Sequence, residues 1–78
     1  DNKLTIIELD NNHVNFKTSN SLTIEKVIIY DLLGRELYNL KGENKSETYQ
    51  LSKLNSSIYI AKVELSDGAI ITKKAFKR

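Results

Sequence analysis

Cysteine, proline, methionine and tryptophan are all missing from the 78-residue chain. Without cysteine there is neither a disulfide framework nor a thiolate metal site, so packing alone must hold the fold. The glycines, Gly34, Gly42 and Gly68, are too widely separated to form a glycine-rich loop around a phosphate. The longest apolar candidate, residues 27–30, is far shorter than the ~20 residues that cross a bilayer, so we expect no membrane insertion. Because the chain lacks methionine and starts at Asp1, we expect it to be a module of a longer precursor.

Side chains suited to catalysis or metal binding are few. The one histidine, His13, lies among polar residues that should face solvent, so neither a histidine metal cluster nor a Ser-His-Asp triad emerges. The carboxylates are scattered and form neither a calcium loop nor an acid/base pair. Tyrosines occur near basic residues, but no RNA-binding signature accompanies them, and aromatic residues in strands usually pack a core. We therefore predict a protein that is not an enzyme, with no metal, no cofactor and no nucleic-acid partner.

Charge is distributed unevenly along the chain, although the net charge is only +2. Residues 1–39 hold four basic and six acidic side chains, whereas residues 40–78 hold eight basic and four acidic ones. Four of the last six residues are cationic: Lys73, Lys74, Lys77 and Arg78. Such a basic segment suits an anionic or acidic partner, but lysines on a final strand also discourage pairing between sheet edges.

Apolar residues recur with the periodicity of strands throughout the chain, and no segment has a helical stripe beside capping residues. Seven strands are predicted, over residues 4–9, 13–17, 22–30, 35–40, 47–51, 57–65 and 69–77. Short strands at intervals of roughly ten residues favour an all-β antiparallel sandwich of two sheets. We expect one domain over residues 1–78, in which only residues 1–3 resemble a linker. The third strand loses its alternation at residues 27–30, as is typical of a central strand covered on both faces.

The strongest hairpin signal is Asp67-Gly68, which favours a two-residue type I′ turn between the last two strands. That loop length would place Leu65 opposite Ile70 and Tyr59 opposite Phe76 on the core face. It would also place Lys62 opposite Lys73, and this like-charge pair is a reason to expect a bulge. The predicted core comprises Val14, Phe16, Ile24, Val27, Ile29, Leu37, Tyr59, Ala61, Val63, Ile70 and Phe76.

A more specific pattern runs through residues 22–78. Its parts are Tyr30-Asp31-Leu32-Leu33-Gly34, then Ser57-Ile58-Tyr59, then Asp67-Gly68, and last a basic and apolar end at residues 73–78. This pattern resembles the C-terminal sorting domain, type A, of proteins exported by the type IX secretion system. Two departures from the family pattern are Ser57, where the family has glycine, and the missing proline-containing motif near the N-terminal edge.

The resemblance implies a small immunoglobulin-like β-sandwich that directs a folded upstream cargo domain across the outer membrane of a Gram-negative bacterium. Its partners would be the type IX secretion translocon and a sortase-like cysteine peptidase, which removes the domain and leaves the cargo secreted or on the cell surface. The family motif would correspond to Tyr30, Asp31, Gly34, Tyr59, Asp67 and Gly68. We hypothesise that the translocon recognises Lys73, Lys74, Lys77 and Arg78. An adhesive or structural immunoglobulin-like module, retained on a surface protein, is the alternative and shares the same fold.

Overall fold

The computed structural model describes residues 4–19, 21–54 and 57–78, so the prediction of a linker at residues 1–3 lies outside the described residues. The described residues form seven strands and no helix, and the all-β prediction is confirmed. Accordingly, no helix in these ranges could span a membrane. The strands are β1 (Leu4–Glu8), β2 (His13–Thr18), β3 (Ile24–Tyr30), β4 (Glu36–Lys41), β5 (Ser46–Gln50), β6 (Ser57–Leu65) and β7 (Ile70–Lys77).

Two antiparallel sheets pack into the predicted immunoglobulin-like sandwich. One sheet has the order β1-β2-β5 and the other the order β4-β3-β6-β7. The expectation that both faces of β3 are covered is wrong. Strand β3 is central in its sheet, but Ile28 and Tyr30 are only half-buried on its outer face, where no described element packs.

The core lies between the inner faces of the two sheets. Eight predicted core residues are buried: Val14, Phe16, Ile24, Val27, Ile29, Tyr59, Ala61 and Val63. Leu37 packs against this core but stays partly exposed. The core prediction is wrong for Ile70 and Phe76, whose exposed fractions are 54% and 55%. It also missed five buried residues, Leu4, Leu51, Leu54, Leu65 and Ile71.

The hairpin between β6 and β7 explains the errors at Ile70, Ile71 and Phe76. Its loop has three residues, because the Leu65 N–H donates to the Ala69 carbonyl (2.8 Å) and the Gly68 N–H donates to the Leu65 carbonyl (2.9 Å). Gly68 has a φ of 87°, whereas Asp67 is not among the residues with positive φ, so the predicted type I′ turn is wrong. The observed pairs include Val63 with Ile71 and Tyr59 with Ala75. A shift of one residue moves every β7 side chain to the opposite face.

Side-chain hydrogen bonds connect the two sheets at both sides of the sandwich. On one edge the Tyr49 hydroxyl of β5 donates to the Lys41 carbonyl of β4 (2.8 Å). On the other edge the Lys73 ammonium of β7 donates to the Leu4 carbonyl of β1 (2.7 Å). The last strand is therefore tied to the first one across the two sheets.

Candidate functional site

Strand β7 lies at the edge of the four-stranded sheet and carries three of the four cations predicted to contact a partner, and the fourth, Arg78, directly follows the strand. The corrected register divides these cations between two faces. Lys73 and Lys77 share the inner face with Ile71 and Ala75. Lys74 is exposed on the outer face, and Arg78 is exposed beyond the end of the strand.

The ammonium group of Lys77 lies inside the protein, with 2% of its side chain exposed. It donates hydrogen bonds to Asn12 Oδ1 (2.9 Å) and to the Arg78 carbonyl (2.8 Å), and it lies 3.4 Å from Glu8 Oε2. Glu8 belongs to β1 and Asn12 to the turn after it, whereas Arg78 directly follows β7. Lys77 therefore links the end of β7 to the other sheet through these bonds. Its side chain is too buried to contact a partner.

Glu8 also forms a hydrogen bond and an ion pair with Arg78. The Arg78 N–H donates to Glu8 Oε2 (3.0 Å), and Arg78 Nε lies 3.6 Å from Glu8 Oε1. The Arg78 side chain is nonetheless 83% exposed, so this ion pair is a weak surface contact. Lys74 and Arg78 are thus the two exposed cations of the predicted group, whereas Lys73 is half-buried and bonded to Leu4.

The Tyr30-Asp31-Leu32-Leu33-Gly34 motif forms the turn between β3 and β4. Asp31 Oδ1 accepts hydrogen bonds from the N–H groups of Leu33 and Arg35 (both 2.9 Å), and Oδ2 accepts one from Arg35 Nε (2.6 Å). The backbone bond from Arg35 is the largest cause that lowers the pKa of Asp31 from its ordinary value of 3.8. Gly34 has a φ of 85°, which suits glycine, and closes the turn by donating to the Asp31 carbonyl (3.1 Å).

The second motif turn has the same construction. In both turns the fourth residue is a glycine with positive φ, and the first residue donates its N–H to the carbonyl of the fifth. Asp67 Oδ1 accepts the N–H of Ala69, the fifth residue of its turn (2.9 Å), just as Asp31 Oδ1 accepts the N–H of Arg35, the fifth residue of the first turn. Asp31, Gly34, Asp67 and Gly68 are therefore turn-forming residues.

The two tyrosines of the motif have different surroundings. Tyr59 is a core residue with an exposed fraction of 1%, and burial, followed by the negative charge of Glu8, raises its pKa to about 12. Tyr30 is half-buried on the outer face of the sheet, where its neighbour on β6 is Ile60. Tyr59 thus has a structural place, whereas Tyr30 belongs to an accessible surface.

Sequence reasoning missed an apolar surface on the outer face of the four-stranded sheet. Phe76 pairs with Ile58 across the hairpin, and both are exposed, with fractions of 55% and 43%. The turn residues Leu32 and Leu33 are also exposed, with fractions of 59% and 80%. The alternation of β7 could have revealed Phe76, but only with the correct loop length.

His13 and the carboxylates lie apart from one another in the described part of the chain. In the ranges that the structure describes, no three histidine or carboxylate side chains converge to hold a metal ion. His13 is half-buried at the start of β2, and its Nδ1 lies 3.2 Å from the Asp10 carbonyl. The candidate functional site is therefore a surface, namely the exposed side of β7 with Lys74, Phe76 and Arg78.

The family model described as a domain of unknown function, DUF8694, matches residues 1–76. The chain belongs to this family. The DUF8694 match runs from before β1 to Phe76, so it includes both sheets and nearly all of the edge strand. No curated protein matches the chain. Membership in DUF8694 assigns no role to any residue, and the function must be argued from the surface itself.

Proposed function

We propose that this DUF8694 domain is a C-terminal secretion signal domain of the type IX system. It directs an upstream cargo protein to the translocon for export across the outer membrane, and a sortase-like cysteine peptidase then removes it. The cargo ends outside the cell or on its surface. The observation that carries the proposal is the position of β7, an edge strand with Lys74 and Phe76 exposed and its inner face tied to β1.

The placement of the motif residues supports the proposal. The two segments that resemble the family's turns form closely matching turns with a left-handed glycine, and Tyr59 lies in the core. These motif residues therefore form turns or pack in the core, as residues needed for folding would. The accessible cations, Lys74 and Arg78, remain for recognition, while Lys73 and Lys77 keep the strand in place.

A signal that is read by another protein and then discarded requires a compact unit with an accessible element. Inward-pointing Lys73 and Lys77 attach β7 to the sandwich through bonds to Leu4 and Asn12. An attached strand loses little further conformational entropy when a partner binds, because it is already ordered. Recognition through Lys74, Phe76 and Arg78 would then use a preformed surface.

Export of a reporter tests the proposal. Residues 1–78 are fused to the C-terminus of a periplasmic reporter in a Gram-negative host with a type IX system and in the same host without its translocon. We expect surface or secreted reporter only with the translocon, and its intact mass should lack the domain. Reporter that reaches the surface with all 78 residues attached would favour the retained adhesive module instead.

Charge reversal tests whether the two exposed cations, Lys74 and Arg78, are recognised. The Lys74→Glu, Arg78→Glu double variant should reduce export about tenfold, because both accessible positive charges are reversed. Lys62→Glu is a matched control, since Lys62 is half-exposed on the same outer face but lies on the interior strand β6. Equal export of the double variant and the wild type would refute the assigned recognition residues.

A further inference from the structure

We propose that the free edge of β7 binds an extended acidic and apolar segment of its partner, which pairs with β7 as a fifth strand of the four-stranded sheet. The identity of the partner as part of the export machinery rests on the proposed function. The pairing itself is argued from the backbone and the exposed side chains of β7.

The hairpin determines which backbone groups of β7 are free. The Leu65 N–H bonds the Ala69 carbonyl, so residues 65 and 69 face each other as a hydrogen-bonded pair. Hydrogen-bonded and non-bonded pairs alternate along antiparallel strands. Val63 with Ile71 and Ala61 with Lys73 are therefore bonded pairs. The backbone groups of residues 70, 72, 74 and 76 consequently point away from β6, toward the open side of the sheet.

The same residues present their side chains on the outer face. Ile70, Thr72, Lys74 and Phe76 are all exposed. A strand that pairs with this edge would receive backbone hydrogen bonds and, beside them, contact two large apolar side chains and a lysine. This combination is the arrangement by which sheet edges bind extended peptides: the backbone supplies affinity and alternate side chains supply specificity.

The other edge strands are poorer candidates. Strand β1 has five residues, and Lys73 already donates to its Leu4 carbonyl. Strand β5 also has five residues, and β4 has a register shift opposite Ile29 and Tyr30. Strand β7 has eight residues and a continuous register with β6 from Ser57 to Glu64. It is therefore the longest regular edge of the described sandwich.

Charge selects the kind of strand that can bind. A second copy of β7 would bring a second set of cations against Lys74 and Arg78, and like charges on facing strands destabilise a sheet. An acidic segment would instead form pairs with both cations. In antiparallel orientation, alternate residues of the segment would be acidic opposite Arg78, apolar opposite Phe76, acidic opposite Lys74, polar opposite Thr72 and apolar opposite Ile70.

A synthetic peptide of this pattern is the probe. Its alternate residues are Glu, Ile, Glu, Thr and Ile, with serines between them, and it is titrated into the full chain while backbone amides are observed by NMR. We expect slower amide exchange at residues 70, 72, 74 and 76 and no such change on β4. Protection elsewhere, or none at saturating peptide, would overturn the proposal.

Thr72→Pro tests the backbone pairing. Proline removes the Thr72 N–H, which points away from β6, and prolines are tolerated on an edge in that position. The peptide should bind this variant about tenfold more weakly, whereas the control Thr72→Val, which keeps the N–H, should stay within about twofold. Equal binding to both variants would contradict strand addition.

Lys74→Glu gives a second test that does not disturb the backbone. It should weaken binding of the acidic peptide about tenfold, and a peptide with lysine in the facing position should restore it. Lys62→Glu is the matched control and should change neither result. Failure of the charge-swapped peptide to bind Lys74→Glu would refute the predicted register.

The reporter fusion separates this inference from the proposed function. If Thr72→Pro folds and is exported as well as Thr72→Val, the edge is not the recognition element, although the sorting function stands. If the wild-type domain exports nothing but its β7 amides are protected by the peptide, the edge binds as proposed and the sorting function is wrong.

Discussion

At the scale of single residues, Lys77 is a charged side chain in an interior position. A lysine buried without partners would be strongly unfavourable. Here the ammonium donates to Asn12 and to the Arg78 carbonyl, with Glu8 nearby, and the whole side chain is buried. The charge is thus compensated, and the aliphatic stem is removed from water.

Replacing Lys77 should therefore destabilise the fold, and the loss should be larger when both the ammonium group and the aliphatic stem are removed than when only the ammonium group is removed. Lys77→Ala should lower the free energy of unfolding by about 2–4 kcal/mol, because it opens a cavity, removes the donor to Asn12 Oδ1 and takes one cation away from Glu8. Lys77→Met keeps the stem and should cost only about 1 kcal/mol. Urea denaturation measures both. The control is Lys74→Ala, an exposed lysine of the same strand, which should change stability by less than about 0.5 kcal/mol; a cost as large as that of Lys77→Ala would contradict the assignment of faces.

Asp31 should make stability depend on pH. Its pKa is lowered in the folded protein, so its stabilising contribution is present above the unfolded pKa near 3.8 and disappears as the pH falls through the lowered folded value. Asp31→Asn should therefore be less stable than the wild type at pH 7, and the difference should shrink at about pH 2.5. Urea midpoints at the two pH values provide the measurement. A constant difference would show that the charge of Asp31 has no part in holding the turn.

At the scale of elements, the β6–β7 hairpin decides the character of the surface. With a two-residue loop, Phe76 and Ile70 would point to the core, and Lys73 would face outward beside Lys62. With the observed loop, Ala75 lies opposite the buried Tyr59, and Ile71 lies opposite Val63. The small alanine leaves room for Tyr59, and the two inward lysines are long enough to reach polar atoms on β1 and its turn.

Amide exchange of the free protein can verify this register. The N–H groups of residues 71, 73 and 75 bond to β6 and should exchange at least about tenfold more slowly than those of residues 70, 72, 74 and 76. NMR-detected exchange of the wild-type chain gives the pattern directly. The opposite alternation would establish the two-residue loop and would invalidate the edge assignment.

At the scale of the whole molecule, β7 is one of the elements that attach the two sheets to each other. A domain of this size has a stability of only about 5 kcal/mol or somewhat more. Strand β7 contributes Ile71 to the core, pairs with all of β6 except its last residue, and donates side-chain bonds to Leu4 and Asn12. Its removal would expose one side of β6 and separate β1 from the other sheet.

Deleting residues 73–78 should therefore abolish cooperative unfolding, as measured by thermal circular dichroism. A chain that lacks only Arg78, whose side chain is mostly exposed, should keep its fold within about 1 kcal/mol. A cooperative transition near the wild-type temperature in the shorter chain would show that β7 is dispensable for folding. Lost export of such a deletion would not by itself identify recognition residues, because the deletion is expected to remove the fold as well.

The sequence by itself determined the seven strands, the positions of the two turns that contain Gly34 and Gly68, and eight buried positions, but not the type of the second turn. Alternation at Val14 and Phe16, and a left-handed glycine at Gly34 and Gly68, are local signals that need no knowledge of the rest of the fold. They also place Tyr59 in the core. The grouping of Lys73, Lys74, Lys77 and Arg78 as one cationic surface followed from the same local reasoning.

Only the tertiary structure decided which of these cations face solvent. Along residues 70–77, apolar and charged residues occur in both alternating frames, so the pattern does not distinguish Ile70 and Phe76 from Ile71 and Ala75 as the inward set. The choice depends on one residue of loop length and on partners far away in the sequence, Leu4, Glu8 and Asn12. Strand side chains alternate with period two. That single residue of loop length therefore places Lys73 and Lys77 on the inner face, where they bond to Leu4 and Asn12, and it exposes Phe76 on the edge strand.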